Sequence, residues 1–332
     1  MASHISRRAA LTALAGSLAA LRIPAAKAAD KLRVGKAVAE NFGNIPLDVG
    51  MEFGIFEKHG LTIEALNFTG GAKVAQAVTA GAVDISLSGG PEMAFVAKGA
   101  PEIAVASISS SPAFIGICVG AQSSIRGIDD LKGKKISIAS VGSVTQWFVD
   151  DLNRLKGWTA ESDRATPVVI GGSTAATLAA LKTGQADASM TATQVGFLLE
   201  SQQAGRLLAD CSQFVDTFEV FTTFASTALI KENPDAVRRF LEGWYESVAA
   251  MKAHKADTVR IASRVMNYPP AVTERSYDTF IAKFSTDGQW NPKALETLRA
   301  SFADLKILEG PVDMTKLYTT AFLPRESAQH RN

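Results

Sequence analysis

Residues 135–155, KISIASVGSVTQWFVDDLNRL, place a strand, a glycine turn and a capped helix in immediate succession. Ile136 and Ile138 alternate with Ser137 and Ala139 as a short strand requires, and Val141-Gly142 breaks the alternation at a residue free to adopt unusual backbone angles. Ser143 then opens a helix. With Gln146 it has the spacing of a capping box, in which the hydroxyl accepts from the third-position amide and the glutamine returns to the cap amide. Val144, Trp147, Phe148, Leu152 and Leu155 follow at helical period. Such a junction leaves free amides and a positive dipole end at the carboxyl edge of a sheet, where open α/β proteins hold small molecules.

The same alternation runs through the chain. A first strand is expected over residues 32–38, then a loop carrying Glu40, Asn41 and Phe42, then one helix from Pro46 that His59-Gly60 ends. Strands follow at 61–66 and 83–87, with a helix from Gly71 to Ala80 between them and the turn Ser88-Gly89-Gly90-Pro91 after. Strand and helix alternating at these lengths imply a parallel sheet covered on both faces. Residues 67–89 and 169–192 also resemble one another: each has a glycine pair, an alanine-rich helix, a glycine, then Asp (Asp84 or Asp187) two residues before Ser. A true repeat means two similar α/β lobes. Beyond residue 231 the period is helical, with Pro234 at a helix start followed by Val237, Phe240, Leu241, Trp244 and Val248.

With 332 residues, 47% hydrophobic and 20% charged, the chain has room for two cores. No stretch is long enough to remain as a membrane anchor. At the N-terminus Ser6-Arg7-Arg8 precedes an apolar run over 9–21, and Ala26-Lys27-Ala28 supplies the small residues of a cleavage site, so a signal peptide of residues 1–28 cut after Ala28 is expected. The paired arginines resemble a twin-arginine signal, although Ala10 stands where that signal usually carries Phe. Removing this segment takes four basic residues and no acidic ones from a chain of formal charge +1, leaving −3. A near-neutral exported chain without a basic run has no electrostatic footprint for nucleic acid. Cys118 and Cys211 do not make a disulfide framework; each sits in an apolar run where a bond and a buried thiol are both open.

Catalytic constellations are missing from the expected loops. His59, His254 and His330 fall outside the strand-to-helix turns, no Cys or His pair has metal-ligand spacing, no G-x-S-x-G elbow occurs, and the pairs Gly70-Gly71 and Gly171-Gly172 lack a P-loop lysine. No cofactor or metal is expected. What the loops do carry is small and polar: Glu40, Asn41 and Phe42; Ser88 and Gly89; Ser109 and Ser110; Ser143 and Thr145; Thr191 and Thr193. Each alone is ordinary turn or cap chemistry. Trp147 and Phe42 have the shape to stack on a flat ligand, and Trp147 equally suits the apolar face of its helix.

DDLKGKKISIASVGS at residues 129–143, GIFEKHGLTIEALNF at 54–68 and AVDISLSG at 82–89 resemble the substrate-binding proteins of bacterial ABC importers, within the branch that serves nitrate, sulfonates such as taurine, and thiamine-precursor pyrimidines. The resemblance covers residues 32 to about 310. It implies the two-lobed α/β periplasmic-binding-protein fold (type II), with the ligand in a cleft between lobes and the chain crossing twice. Crossings are expected over 104–117 and 214–224, giving one lobe of residues 29–117 and 217–332 and another of 118–216. The resemblance also implies a monomer that captures a small polar organic molecule in the periplasm and delivers it to a membrane permease with its ATPase. The eleven loop residues above, from Glu40 to Thr193, would then be the ligand-binding set. Two other readings belong to the same fold: an exported ligand-sensing subunit of a membrane receptor, and a pyrimidine-synthase-like enzyme, whose own histidine and cysteine cluster this cleft lacks. No Arg or Lys lies in the loops, so an anion would depend on hydroxyls and helix starts, whereas Glu40 favours an amine or a ring donor.

Overall fold

The structure, a computed structural model, describes residues 29–305 and 307–324. The expected signal peptide lies outside the described residues. In chain order the first part runs β1 (Asp30–Lys36), α1 (Ile45–Glu52), α2 (Ile55–Lys58), β2 (Leu61–Asn67), α3 (Gly71–Thr79), β3 (Ile85–Ser88), α4 (Met93–Ala97) and β4 (Glu102–Ser109). Next come β5 (Ile115–Gly120), β6 (Lys135–Ile138), α5 (Val144–Lys156), β7 (Thr166–Val169), α6 (Thr174–Thr183), β8 (Ala188–Ala192), α7 (Thr193–Ser201) and β9 (Gly205–Asp210). The chain closes with β10 (Phe221–Ser226), α8 (Thr227–Glu232), α9 (Pro234–Ala253), α10 (Lys255–Met266), α11 (Pro270–Phe280) and α12 (Pro292–Asp304).

Two five-stranded sheets form, in the orders β2-β1-β3-β10-β4 and β7-β6-β8-β5-β9. They are mixed, not parallel throughout. The strands β2, β1 and β3 run parallel, as do β7, β6 and β8, but β10 is antiparallel to β3 and β4, and β5 is antiparallel to β8 and β9. In each sheet the reversed strand is the one that arrives from the other lobe, so its direction follows from the crossing and not from a local β-α-β unit. The sequence therefore leaves the first sheet after Ser109, joins the second at Ile115, and returns between Asp210 and Phe221.

The internal repeat has a structural counterpart. Asp84 accepts the backbone N–H of Arg33 (2.8 Å), which belongs to β1, and Asp187 accepts that of Lys135 (2.9 Å), which belongs to β6. In each lobe an aspartate just before the third strand thus accepts from a backbone N–H of the first, mid-strand in β1 and at the start of β6. A pair of similar units, each unable to bury both sheet faces alone, is completed by helices: α1 and α2 pack on α9, and α7 packs on β5 and β9. The single helix expected from Pro46 is broken, because Gly54 takes the left-handed conformation (φ +66°) between α1 and α2.

Aromatic residues fill the crossings. Phe114 stacks on Phe280 (centroids 4.6 Å apart) and meets Phe221 edge-on at 5.2 Å, while Trp147 stacks on Phe218 at 3.7 Å. Such pairs contribute about 0.5–1.5 kcal/mol each beyond the area they bury. Cys118 and Cys211 are buried free thiols, and burial pushes both upward from their ordinary pKa.

Candidate functional site

The carboxyl ends of six strands face one another across the gap between the lobes and enclose a cavity. Residues 37–41 follow β1, Gly70 and Gly71 follow β2, and residues 88–92 end and follow β3 on one side. Ser143 to Thr145 after β6, residues 170–174 after β7, and Thr191 and Ala192 of β8 close the other. The centres of water-sized spheres have about 60 Å³ of it to occupy. A single enclosed water needs about 10–15 Å³ on this measure, so the closed cavity suits a guest of only a few non-hydrogen atoms.

Direct contacts hold the lobes together around it. Oε2 of Glu40 accepts the backbone N–H of Thr174 at 3.0 Å, so a carboxylate of one lobe caps the start of α6 in the other. The Thr174 hydroxyl lies 2.7 Å from the Tyr268 hydroxyl, and the Gln194 amide donates to the Glu40 carbonyl at 3.4 Å. At the rim Arg275 of α11 pairs with Glu200 of α7 (2.7 Å) and stands 3.9 Å above the Phe197 ring. Close approach is a matter of missing side chains: a Cβ on Gly70 would come 2.7 Å from Cβ of Ser140, and one on Gly172 would come 2.7 Å from Val38.

Ser143 does cap α5, its hydroxyl oxygen accepting from Gln146 N at 3.4 Å. The rest of the expected capping box differs, because Oε1 of Gln146 accepts the N–H of Gly142 (2.7 Å), one residue before the cap. The Ser143 hydroxyl donates to the Ser140 carbonyl at 2.7 Å, and Oγ1 of Thr145, which accepts from Ala139 N at 3.0 Å, lies 2.9 Å from it. A hydroxyl has one hydrogen. With that of Ser143 given to the Ser140 carbonyl, that of Thr145 goes to Ser143, so the Ser143 oxygen, which also accepts from Gln146 N, has its hydrogen and both lone pairs engaged, and Thr145 keeps one lone pair. Ser137 likewise donates to Ser189 at 2.7 Å on the cavity floor. The lining hydroxyls of Ser88, Thr177 and Thr191 have no hydrogen bond to another described residue.

Of the residues named from sequence, the structure brings Glu40, Asn41, Ser88, Gly89, Ser143, Thr145 and Thr191 to the cavity wall. Phe42, Ser109, Ser110 and Thr193 do not line it. Phe42 is fully buried beside Phe280 (5.8 Å), which α11 delivers from far along the chain. The Ser109 hydroxyl donates to the Lys283 carbonyl (2.8 Å), that of Thr193 donates to the Ala113 carbonyl (2.8 Å), and the Ser110 carbonyl accepts from Phe218 N (3.2 Å). Trp147 is buried among aromatic rings.

Sequence reasoning missed Glu92, which lines the cavity and is 3% exposed. Its Oε2 is enclosed without a hydrogen-bond partner, and burial pushes its carboxyl up to about 8, partly offset by the backbone amides of Glu92 and Gly89. The available signal was Gly70-Gly71 together with Gly89-Gly90. A Cβ on Gly71 would stand 2.7 Å from Cγ and Cδ of Glu92, so Gly71 makes room for this side chain, and one on Gly89 would stand 2.9 Å from the Val220 carbonyl and 3.1 Å from Oε2 of Glu92.

A family model described as NMT1/THI5 like matches residues 41–258, the span that carries nearly all of the cavity wall. The chain belongs to the NMT1/THI5-like family. Within reach of this NMT1/THI5-like chain is a Brucella abortus (strain 2308) protein named as a binding protein, 27% identical over 319 residues and covering 92% of this chain and 96% of the relative. Among solved structures, the alkanesulfonate-binding protein SsuA from Xanthomonas axonopodis pv. citri bound to MOPS superposes with a TM-score of 0.73 at 20% identity, over 87% of this chain and 98% of that one. The periplasmic aliphatic sulphonate binding protein SsuA from Escherichia coli gives 0.71 at 19% identity, over 91% and 96%. These likenesses establish the two-lobed periplasmic-binding-protein fold that the resemblance to substrate-binding proteins of ABC importers implied.

Proposed function

We propose that the chain is an extracytoplasmic solute-binding protein: exported by a twin-arginine-type signal cleaved after Ala28, monomeric in the periplasm, it captures a small polar organic molecule and delivers it to the permease and ATPase of an ABC importer. The observation that carries this reading is the cavity enclosed between the lobes, built from strand ends of both. Open α/β sheets bind ligands at the carboxyl ends of their strands, and a site split between two lobes couples capture to closure. The names of the relatives support it, since one is named as a binding protein and two as sulfonate-binding proteins. In this reading the lobes part where the chain passes between the sheets, between Ser109 and Ile115 and between Asp210 and Phe221, and the hinge lies at those crossings.

Its role is binding and not catalysis. None of His59, His254, Cys118 and Cys211 lines the cavity, and among the described residues no group of three or more His, Cys, Asp or Glu is arranged to hold a metal. Native mass spectrometry of the protein isolated from its own cell envelope tests the proposal. The expected spectrum shows a small molecule held by the folded chain and released unchanged on unfolding. A bare chain, or a molecule that leaves with an altered mass, contradicts it.

A further inference from the structure

Among the described residues that line the cavity, Glu40 and Glu92 alone have ionisable side chains, and no Lys, Arg or His joins them. Glu92 is held at the wall between Gly71 and Gly89, and its Oε2 is buried with no partner. Glu40 reaches across from the same lobe to the amide of Thr174. The hydroxyl hydrogens of Ser143 and Thr145 are spent within their own turn, so that turn has no hydroxyl hydrogen to offer an anion. An anion entering this space would meet two carboxyl groups and no compensating cation, whereas a group with N–H donors and positive charge would satisfy the orphaned oxygen and meet opposite charge.

Resting on the solute-binding reading above, we infer that the cavity takes a small organic cation, an ammonium or amidinium group, whose N–H bonds to Oε2 of Glu92 with Glu40 as the second counter-charge. Specificity then lies in Glu92. Burial holds its carboxyl at about 8 in the empty protein, with Glu102 the further charge that raises it. A cation beside it favours the ionised form, because an opposite charge within about 4–6 Å lowers a carboxyl pKa by about 1–3 units. The room available, about 60 Å³ for the centres of water-sized spheres, limits the guest to a compact head group.

Acetamidinium, acetamide and acetate share one skeleton and differ in charge, and thermal unfolding of the purified protein with each, at matched ionic strength, tests the inference. Acetamidinium is expected to raise Tm in a dose-dependent way, with acetamide and acetate inert. Glu92→Gln, which keeps the side-chain shape, is expected to fold and to bind acetamidinium about tenfold more weakly or worse. Glu40→Gln supplies a second variant should Glu92→Gln fail to fold, with weaker acetamidinium binding again expected. Stabilisation by acetate overturns the charge assignment while leaving a solute-binding role standing. Equal action of acetamidinium on wild type and variant, or no stabilisation by acetamidinium at all, also overturns it, and the mass-spectrometric test of the solute-binding role remains independent of either result.

Discussion

Gly71→Ala should destabilise the protein for one reason only, the carboxyl of Glu92. Gly71 is the first residue of α3 and its backbone is ordinary helix, so elsewhere the change would gain about 0.4–1 kcal/mol by reducing the freedom of the unfolded chain. In this structure the added Cβ would stand 2.7 Å from Cγ and Cδ of Glu92 and closer still to Oε1. Because Glu92 is buried to 3% exposure, it has no free path away, and overpacking of this kind costs about 1–3 kcal/mol. The net expectation is a loss of about 1 to 2 kcal/mol. Glu92→Ala removes every atom that clashes, so in that background Gly71→Ala should regain the favourable entropic contribution, and the coupling between the two sites should be about 2 kcal/mol. Guanidinium chloride unfolding of wild type, both single variants and the double variant measures it. If Gly71→Ala is neutral or stabilising in the presence of Glu92, or has the same effect in both backgrounds, the carboxyl does not occupy that niche and the reasoning about the site fails.

Three further outcomes are expected. Burial raises the carboxyls of Glu92 to about 8 and of Glu102 and Glu219 to about 7, from an unfolded value of 4.5, so the folded state holds protons that the unfolded chain has released; their stabilising contribution is complete below about pH 4.5 and declines as pH rises toward 8, by about 1.4 kcal/mol per pH unit for each such proton. Melting curves of the unliganded protein should fall across that interval, more gently for Glu102→Gln, and a Tm that climbs from pH 5 to 8 would refute the assignment. Ser143→Gly should leave the affinity for the retained solute within about twofold, since the hydroxyl hydrogen is engaged by the Ser140 carbonyl, and a tenfold loss by calorimetry would return that hydroxyl to the ligand. Arg275→Ala removes the ion pair to Glu200 and the contact over Phe197, so small-angle scattering of the unliganded protein should show a larger radius of gyration than wild type; an unchanged profile would mean that the rim contacts do not hold the lobes closed.

The parts of this fold legible in the sequence are those written locally. Strand and helix alternation, the glycine at each turn and the capping hydroxyl of Ser143 depend on neighbours a few residues away, and Asp84 and Asp187 mark equivalent feet of equivalent strands because the same local unit recurs. Strand direction in β5 and β10 was not legible, since a period of two is the same in either direction and only the crossing sets it. Within the site, Ser88 and Thr191 fell at the cavity because they sit at strand ends, and Thr145 because it lies in the first turn of α5. Phe42 stood at a strand end too, but Phe280 and Phe284 claim its ring for the core, a contact between segments remote in sequence. Glu92 escaped notice for the same reason. What makes it a wall residue is the absence of a Cβ on Gly71, in a different helix, and nothing in the local pattern around Glu92 records that.

Hydrogen exchange of the protein with and without the solute recovered from its own cell envelope is the most direct test that the space between the lobes is where that solute is held. Added protection is expected at strand ends of both lobes together, around Glu40, Gly71 and Glu92 in one and around Thr145, Thr174 and Thr191 in the other. Protection confined to one lobe, or to the outer groove around Ser123, Lys182 and Asp187, would contradict it.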